Sequence, residues 1–225
     1  MGATVDAKTQ ERVVQRLKKK YPISRNMAAF NVNIDTTGGV VGVEQQPEGF
    51  RLSTDDQTDI VLVKPRGIAA SRLAPYPGWS VLCDSANAAW EVWKSLTPRH
   101  PIERVGIRYI NRIDIPLGGK HGVRLDDYLN FHPQITKIAV DPMTAYVVQA
   151  SFPVPLNKTW STNLTSTLVT PAPLIDHLSL LLDIDVYRYG PLAETMLWDE
   201  IDAARILKND LFERCITDKA RKLFE

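Results

Sequence analysis

Three arginines recur at four-residue intervals in one β-like run, residues 104–117. They are Arg104, Arg108 and Arg112. Successive side chains of a strand point to opposite faces, so residues four apart project from the same face. Each guanidinium carries a planar fork of donors that matches a carboxylate or a phosphate. The row therefore predicts a surface that binds phosphate groups or an acidic partner protein.

Acidic residues accompany this row. Asp114 follows it on the same run, and Asp183 and Asp185 alternate with apolar residues in the run 177–189. One interpretation is a cross-strand ladder in which these three aspartates pair with the three arginines. The other is an open, charged face that holds a partner, and the pattern leaves both open. We assign the arginines to partner binding and the aspartates to charge pairing.

Within the row, position suggests a division of roles. Arg108 lies in the middle of its strand, where we expect a structural role, while Arg104 and Arg112 lie nearer the ends and are available to a partner. Asp183-x-Asp185 could in principle hold Mg²⁺, but two carboxylates leave most of an octahedral shell to water. We predict no metal site there.

The rest of the chain offers no catalytic constellation. It contains no Gly-rich phosphate loop, no GxSxG elbow, no HExxH and no paired CxxC, and its four histidines are scattered. Cys83 and Cys215 fall in helical patterns, where a free cysteine is usually a small buried hydrophobe. We therefore predict no catalytic residue, no metal and no cofactor.

Composition narrows the class of protein. The 225 residues include 27 Lys and Arg against 26 Asp and Glu, so the net charge of +1 gives no bulk attraction to nucleic acid or an acidic membrane. No apolar run approaches the length of a membrane span, and no signal peptide opens the chain. The expectation is a cytoplasmic protein without a membrane partner, whose oligomeric state the sequence does not specify.

The elements that position these residues follow a regular order. Apolar periodicity predicts helices over 6–20, 79–96 and 192–214, with short helices at 124–130 and after the N-cap candidate Thr217. Strands come in runs between the long helices, which indicates an α+β fold with mostly antiparallel sheets. The predicted β-like runs are 30–34, 40–43, 50–52, 60–63 with a continuation at 68–73, 104–117, 143–154, 160–169 and 177–189.

The order helix, four strands, helix, four strands, helix divides the chain into two similar halves, 1–100 and 101–225, packed as one globular unit. Residues 30–35 also resemble residues 109–114, which fits either an internal duplication or a chance alignment of turn residues. In the middle helix, Trp90 and Trp93 share a stripe with Ala86 and Leu96, so both indoles are expected in the core.

Four segments carry a resemblance to a known family. They are 76–79 (YPGW), 108–113 (RYINRI), 182–185 (LDID) and 212–219 (FERCITDK). With them, residues 20–224 resemble a sporadically distributed family of prokaryotic proteins, slightly longer than this chain, for which no activity is established. The patchy distribution implies accessory or defence-associated genes. Relatives usually carry a β-like segment before the first helix, whereas residues 1–4 here lead almost directly into it. Either this lineage lacks the segment or the chain is trimmed, and a missing strand would expose a sheet edge to a partner.

These observations lead to one expected function and one alternative. The expected function is a non-enzymatic interaction component, such as an inhibitor, antitoxin or adaptor, that holds a protein partner encoded nearby. The alternative is a nucleic-acid-binding module, or a nuclease-related protein, that uses the arginine-lined sheet face on phosphates.

Overall fold

The structure is a computed structural model that describes residues 4–35, 39–134 and 143–224, with the backbone alone at residues 29–35 and 39–45. The chain divides into two compact units, Met1–His100 and Pro101–Glu225. Each unit contains one four-stranded antiparallel sheet. No helix in the described ranges is both long and apolar enough to span a membrane.

The first unit is a meander flanked by two helices. Its elements are α1 (Ala7–Leu17), β1 (Ile23–Asp35), β2 (Gly39–Ser53), β3 (Asp59–Lys64), β4 (Gly67–Arg72) and α2 (Trp79–Leu96). The strands pair in chain order, β1-β2-β3-β4. The helices pack with the sheet around a cluster of buried side chains. Its members are Val13, Val14, Leu17, Tyr21, Leu52, Val61, Val63, Ala89 and Trp93.

The helices of this unit begin where the sequence predicts. Asp6 caps α1, because its carboxylate accepts a hydrogen bond of 2.8 Å from the Thr9 amide. The bounds of α2 agree with the predicted range, but its most buried face carries Ser85, Ala89 and Trp93. Trp90 is half-buried and packs against the edge of the core. The apolar stripe is therefore rotated by about one residue from the predicted one.

The structure departs from the predicted β-like runs at two places in this unit: between runs 40–43 and 50–52, and at the continuation 68–73. Pro47-Glu48-Gly49 is a β-bulge inside the continuous strand β2, since the pairing with β1 shifts there by one residue. Gly49 has a φ of 115°, and an added Cβ would lie 2.0 Å from the carbonyl oxygen of Val63. Pro65 and Arg66 form a hairpin turn, so the run beyond Pro65 returns as β4 beside β3. Four strands result, with boundaries different from those predicted.

The second unit contains the charged runs. Its elements are β5 (Ile102–Pro116), β6 (Val147–Pro153), β7 (Ser161–Val169), β8 (His177–Leu192), α3 (Leu197–Cys215) and α4 (Asp218–Arg221). The sheet order is β5-β8-β7-β6, so the last strand in sequence is an internal one. Alternate apolar residues of β8 are buried on one face, and α3 packs against β5 and β8. The apolar residues that alternate on this buried face are Leu180, Leu182, Ile184 and Val186.

Three boundaries in this unit differ from the prediction. Strand β8 continues through Gly190 and Pro191 and pairs with β5 as far as Leu192, so α3 begins five residues later than expected. The helix predicted at 124–130 is a single 3-10 turn, Leu125–Asp127. The predicted run 143–154 is β6, which begins at Val147, and Thr217 caps α4 as expected.

The α+β class and the order of helices and strands are confirmed, and the two halves share that order. Their sheets nevertheless differ in topology. Residues 30–35 lie on β1, which pairs with the next strand in sequence, whereas residues 109–114 lie on β5, which pairs with the last one. This difference favours chance over duplication as the origin of the sequence echo.

Candidate functional site

The second sheet has one apolar face and one polar face, and the polar one is called here the outer face. The pairing register determines which side chains it contains. On β5 they are Arg104, Gly106, Arg108, Ile110, Arg112 and Asp114. On β8 they are Ser179, Leu181, Asp183, Asp185, Tyr187 and Tyr189. Beyond them lie Ser161, Asn163, Thr165 and Thr167 of β7, then Val147, Gln149 and Ser151 of β6. The strands thus bring all six predicted charged residues onto one surface.

Arg108 makes the strongest contact of the face. Its direct cross-strand neighbour is Asp185, but its guanidinium reaches diagonally to Asp183. Nε lies 2.9 Å from Oδ1 and Nη2 lies 2.5 Å from Oδ2, a two-pronged pairing of fork with carboxylate. These hydrogen bonds raise the pKa of Arg108 further above its already high value. Asp183 is buried, so Arg108 compensates a charge that water reaches poorly.

Arg104 is held more loosely and lies beside aromatic rings. Its Nη2 is 3.3 Å from Oδ2 of Asp185, and its guanidinium carbon is 4.8 Å from the centre of the Tyr187 ring. Tyr187 and Tyr189 meet edge to face, with ring centres 5.6 Å apart. Burial raises the pKa of Asp185, and the charges of Arg104 and Arg108 act against that rise. Arg104 therefore combines an ion pair with a cation–π contact.

Arg112 pairs within its own strand. Its Nε lies 3.0 Å from Oδ2 of Asp114, two residues further along β5. The other oxygen of Asp114 accepts a hydrogen bond of 2.5 Å from the Ser179 hydroxyl on β8. Asp114 is thus anchored to the sheet, and Arg112 extends from it towards solvent.

In each of the three ion pairs the arginine side chain is more exposed than the aspartate side chain. The side chains of Arg104, Arg108 and Arg112 are 46%, 60% and 51% exposed. The paired aspartates are 20%, 12% and 22% exposed in the same order. The carboxylates therefore lie beneath the guanidiniums and hold them in place, while the cations form the surface that a partner would meet.

Apolar groups share this surface with the cations. Ile110 is 59% exposed, and Tyr189 is 69% exposed. Ile110 stands between Arg108 and Arg112 on the same face of β5. An exposed isoleucine in the middle of a charged row is not needed for the core, which takes the opposite face of the strand. The row therefore offers both charge and apolar contact area.

Sequence reasoning missed the part of the outer face that β7 and β6 supply. The sequence predicts a strand over 160–169, but its alternate Ser, Asn and Thr residues were not assigned to one polar face of the sheet. Asn163 hydrogen-bonds the Asp185 carboxylate and accepts a 2.8 Å bond from the Ser151 hydroxyl. The sequence signal that was available is the polar residue at every second position of this strand.

The chemistry available at the outer face is recognition by charge, hydrogen bonding and apolar contact. Within the ranges the structure describes, no three His, Cys, Asp or Glu side chains cluster closely enough to hold a metal ion. Comparisons of the chain with protein-family models, curated proteins and solved structures find no match. The assignment of function therefore depends on the outer face itself.

Proposed function

We propose that this chain is a non-enzymatic protein-interaction component that holds a partner protein on the outer face of its second sheet. The observation that carries the proposal is the exposed row of β5, in which Ile110 stands among guanidiniums supported from below by carboxylates. Arginine and tyrosine are enriched at the energetic centres of protein interfaces, and both are exposed here. Guanidiniums already held in place lose less side-chain entropy when a partner binds.

The expected setting is an accessory, defence-associated prokaryotic system in the cytoplasm, with the partner encoded nearby. This part rests on the resemblance of the 108–113 motif to a sporadically distributed family. In such a setting the chain acts as an inhibitor, an antitoxin or an adaptor, since each of these works by holding another protein. A complementary charged interface would provide the specificity that such roles require.

A nucleic-acid-binding module, or a nuclease-related protein, is the second candidate. The observation that favours it is the exposed Tyr189 ring close to Arg104, because aromatic rings beside cations can stack on bases. Against it, the three guanidiniums are matched by three carboxylates, so the cluster lacks the excess positive charge that long-range attraction to a polyanion requires, although its exposed guanidiniums can still make local contacts with single acidic groups. Phosphate binding also requires steep salt dependence, which a binding titration at several salt concentrations measures directly.

The test compares two surface variants of the full chain. The outer-face variant carries R104A, I110S and R112A, and it leaves the Arg108–Asp183 pair intact. We expect it to keep the wild-type melting temperature within a few degrees and to lose the partner that wild type co-purifies from its native cells. Capture of the same partner by this variant at wild-type yield would contradict the proposal.

The matched control makes the corresponding changes on the first unit, with two arginines replaced by alanine and one β-branched apolar residue replaced by serine. It carries R66A, V81S and R99A, all at exposed positions. We expect this control to capture the partner as wild type does. If nuclease treatment releases the captured material, or if only nucleic acid is recovered and its binding falls steeply with salt, the second candidate replaces the first.

A further inference from the structure

Strand β5 lies at one edge of the second sheet, and the side-chain ion pairs of the outer face do not involve the backbone groups along that edge. Among the described residues the 15-residue strand β5 pairs with β8 and with no other strand, so no described strand adjoins its second edge. In an edge strand about half of the residues direct their N–H and C=O groups away from the sheet, here roughly seven. The side chains beside that edge are exposed, including Arg108 and Ile110.

The opposite edge of the sheet lacks comparable recognition features. Strand β6 has seven residues, and its outer-face side chains Val147, Gln149 and Ser151 carry no charge. It ends at Pro153, which has no backbone N–H. Of the two edges, only that of β5 combines length with a charge pattern.

The pattern along β5 defines what an added strand would have to contain. On the outer face it runs cation, glycine, cation, isoleucine, cation from Arg104 to Arg112, over about 26 Å. Side chains directly opposite each other on paired strands interact, and opposite charges stabilise the pair. The matching strand carries acidic residues at every fourth position, with apolar residues between them.

Gly106 adds a steric feature to this pattern. An added Cβ at this position would approach the Cβ of Tyr187 to 2.9 Å, so the sheet requires glycine there. The absent side chain leaves the outer face of β5 low between Arg104 and Arg108. An apolar side chain of the added strand, such as valine, would lie opposite that position.

We propose that an extended segment of the partner protein, with acidic residues at every fourth position and apolar residues midway between them, adds to the free edge of β5 as a fifth strand. This inference rests on the proposed function and specifies how the partner is held. Main-chain hydrogen bonds supply the affinity and the arginine row supplies the selectivity. A second copy of this chain is a poorer occupant, because two β5 strands would bring two arginine rows side by side.

The probe is a fluorescent peptide, Glu-Thr-Val-Thr-Glu-Thr-Val-Thr-Glu, titrated with the full chain. Its sequence reads the same in both directions, so it presents the matching pattern whether it pairs parallel or antiparallel. We expect saturable binding that weakens with salt. Binding should fall at least about tenfold when Lys replaces Glu, and at least about tenfold for the R104A, I110S and R112A variant. The first-unit control variant should bind the probe as wild type does.

Two measurements distinguish strand addition from docking on side chains alone. The first uses probes N-methylated at odd or at even positions, because methylation removes the donors of one edge of the peptide. Strand addition predicts that one set loses binding and the other retains it, while side-chain docking responds equally to both. The second is amide hydrogen exchange, in which the segment Ile102–Pro116 should gain protection when the probe is bound.

Four outcomes would overturn the inference and leave the proposed function standing. They are equal effects of the two methylation patterns, no gain of protection in Ile102–Pro116, protection gained at Val147–Pro153 instead, and no probe binding by a chain whose partner capture depends on the outer face. A concentration-dependent dimer with protected β5 would assign the edge to a second copy. Failure of the proposed function itself appears separately, as unchanged partner capture by the outer-face variant.

Discussion

Arg108 and Arg112 occupy equivalent positions on one face of one strand, yet the carboxylates that they pair with differ in burial and in their other hydrogen bonds. Arg108 neutralises Asp183, whose side chain is among the buried polar groups of the described residues. Arg112 pairs with Asp114, which has a second donor in Ser179 and remains partly exposed. Removing the first arginine leaves a buried carboxylate without its main partner, whereas removing the second leaves a carboxylate that is still bonded.

We therefore expect R108A to lower the free energy of unfolding by about 2 kcal/mol and R112A to change it by less than about 0.5 kcal/mol. The first value is below the range for fully buried pairs because the Arg108 side chain is largely exposed. Chemical denaturation of the two variants measures both effects. Combining R108A with D183N should recover part of the loss, and equal losses in R108A and R112A would show that depth does not matter here.

Lys208 is a charged residue within the buried stripe of α3. It lies on α3 and is buried, with Nζ 3.9 Å from the centre of the Tyr109 ring on β5. Burial, followed by the charge of Arg205, lowers the pKa of Lys208 from 10.5 to about 8. The ring favours the cation, but loss of hydration outweighs this contact.

Because folding lowers the pKa of Lys208, the free energy of unfolding depends on pH in the alkaline range. Below about pH 8 Lys208 is charged in both states, and the folded state bears the full cost of burying the charge. Between about pH 8 and 10.5 the unfolded chain holds more protons than the folded one, so stability rises with pH. We expect the free energy of unfolding of wild type, relative to K208M, to rise across this window. A pH-independent difference in denaturant titrations would contradict it.

At the scale of elements, α2 shows how far a helical stripe can be predicted. The range Trp79–Leu96 was predicted correctly, but a stripe of residues three and four apart leaves its central line uncertain by one position. Which indole lies deepest depends on how α2 packs with α1 and β4, and those contacts are not encoded in the helix alone.

The two tryptophans should consequently differ in their contribution to stability. We expect W93A to cost about 3–5 kcal/mol, as for a buried aromatic residue, and W90A to cost about 1–2 kcal/mol, since its ring is only half removed from water. Urea denaturation of the two variants provides the comparison, with each serving as the control for the other. A larger loss in W90A would return the stripe to its predicted orientation.

Thr217 connects the start of α4 to residues 127–128, at the end of the 3-10 turn Leu125–Asp127. Its hydroxyl accepts from the Ala220 amide at 3.2 Å and donates to the Asp127 carbonyl at 2.6 Å, while its amide donates to the Tyr128 carbonyl at 3.1 Å. T217A should lose about 1–2 kcal/mol, because both hydroxyl bonds disappear. T217S keeps the hydroxyl and should stay within about 0.5 kcal/mol of wild type in thermal melts. Equal losses in the two variants would assign the effect to the methyl group.

At the scale of the whole molecule, the sequence predicted the kinds and order of the elements better than it predicted which strands pair with each other. Strand alternation placed the six charged residues on faces, because that rule is local. The pairing of β5 with β8, and the diagonal contact from Arg108 to Asp183, depend on register between distant segments. For the same reason the break predicted between runs 40–43 and 50–52 and the end of run 177–189 are wrong, since pairing continues through residues 47–49 and 190–191.

The sheet order of the second unit also has a consequence during synthesis on the ribosome. Arg108 and its partner Asp183 are 75 residues apart, whereas the strands of the first unit pair with their immediate successors. At ordinary translation speeds β5 emerges roughly 4–15 s before the strand that neutralises it. During that interval the nascent strand has two open edges, and Arg104 and Arg108, which still lack their partners on β8, repel the identical strand of a neighbouring nascent chain. The charges of the proposed recognition surface would thus also protect the unfinished chain from aggregation.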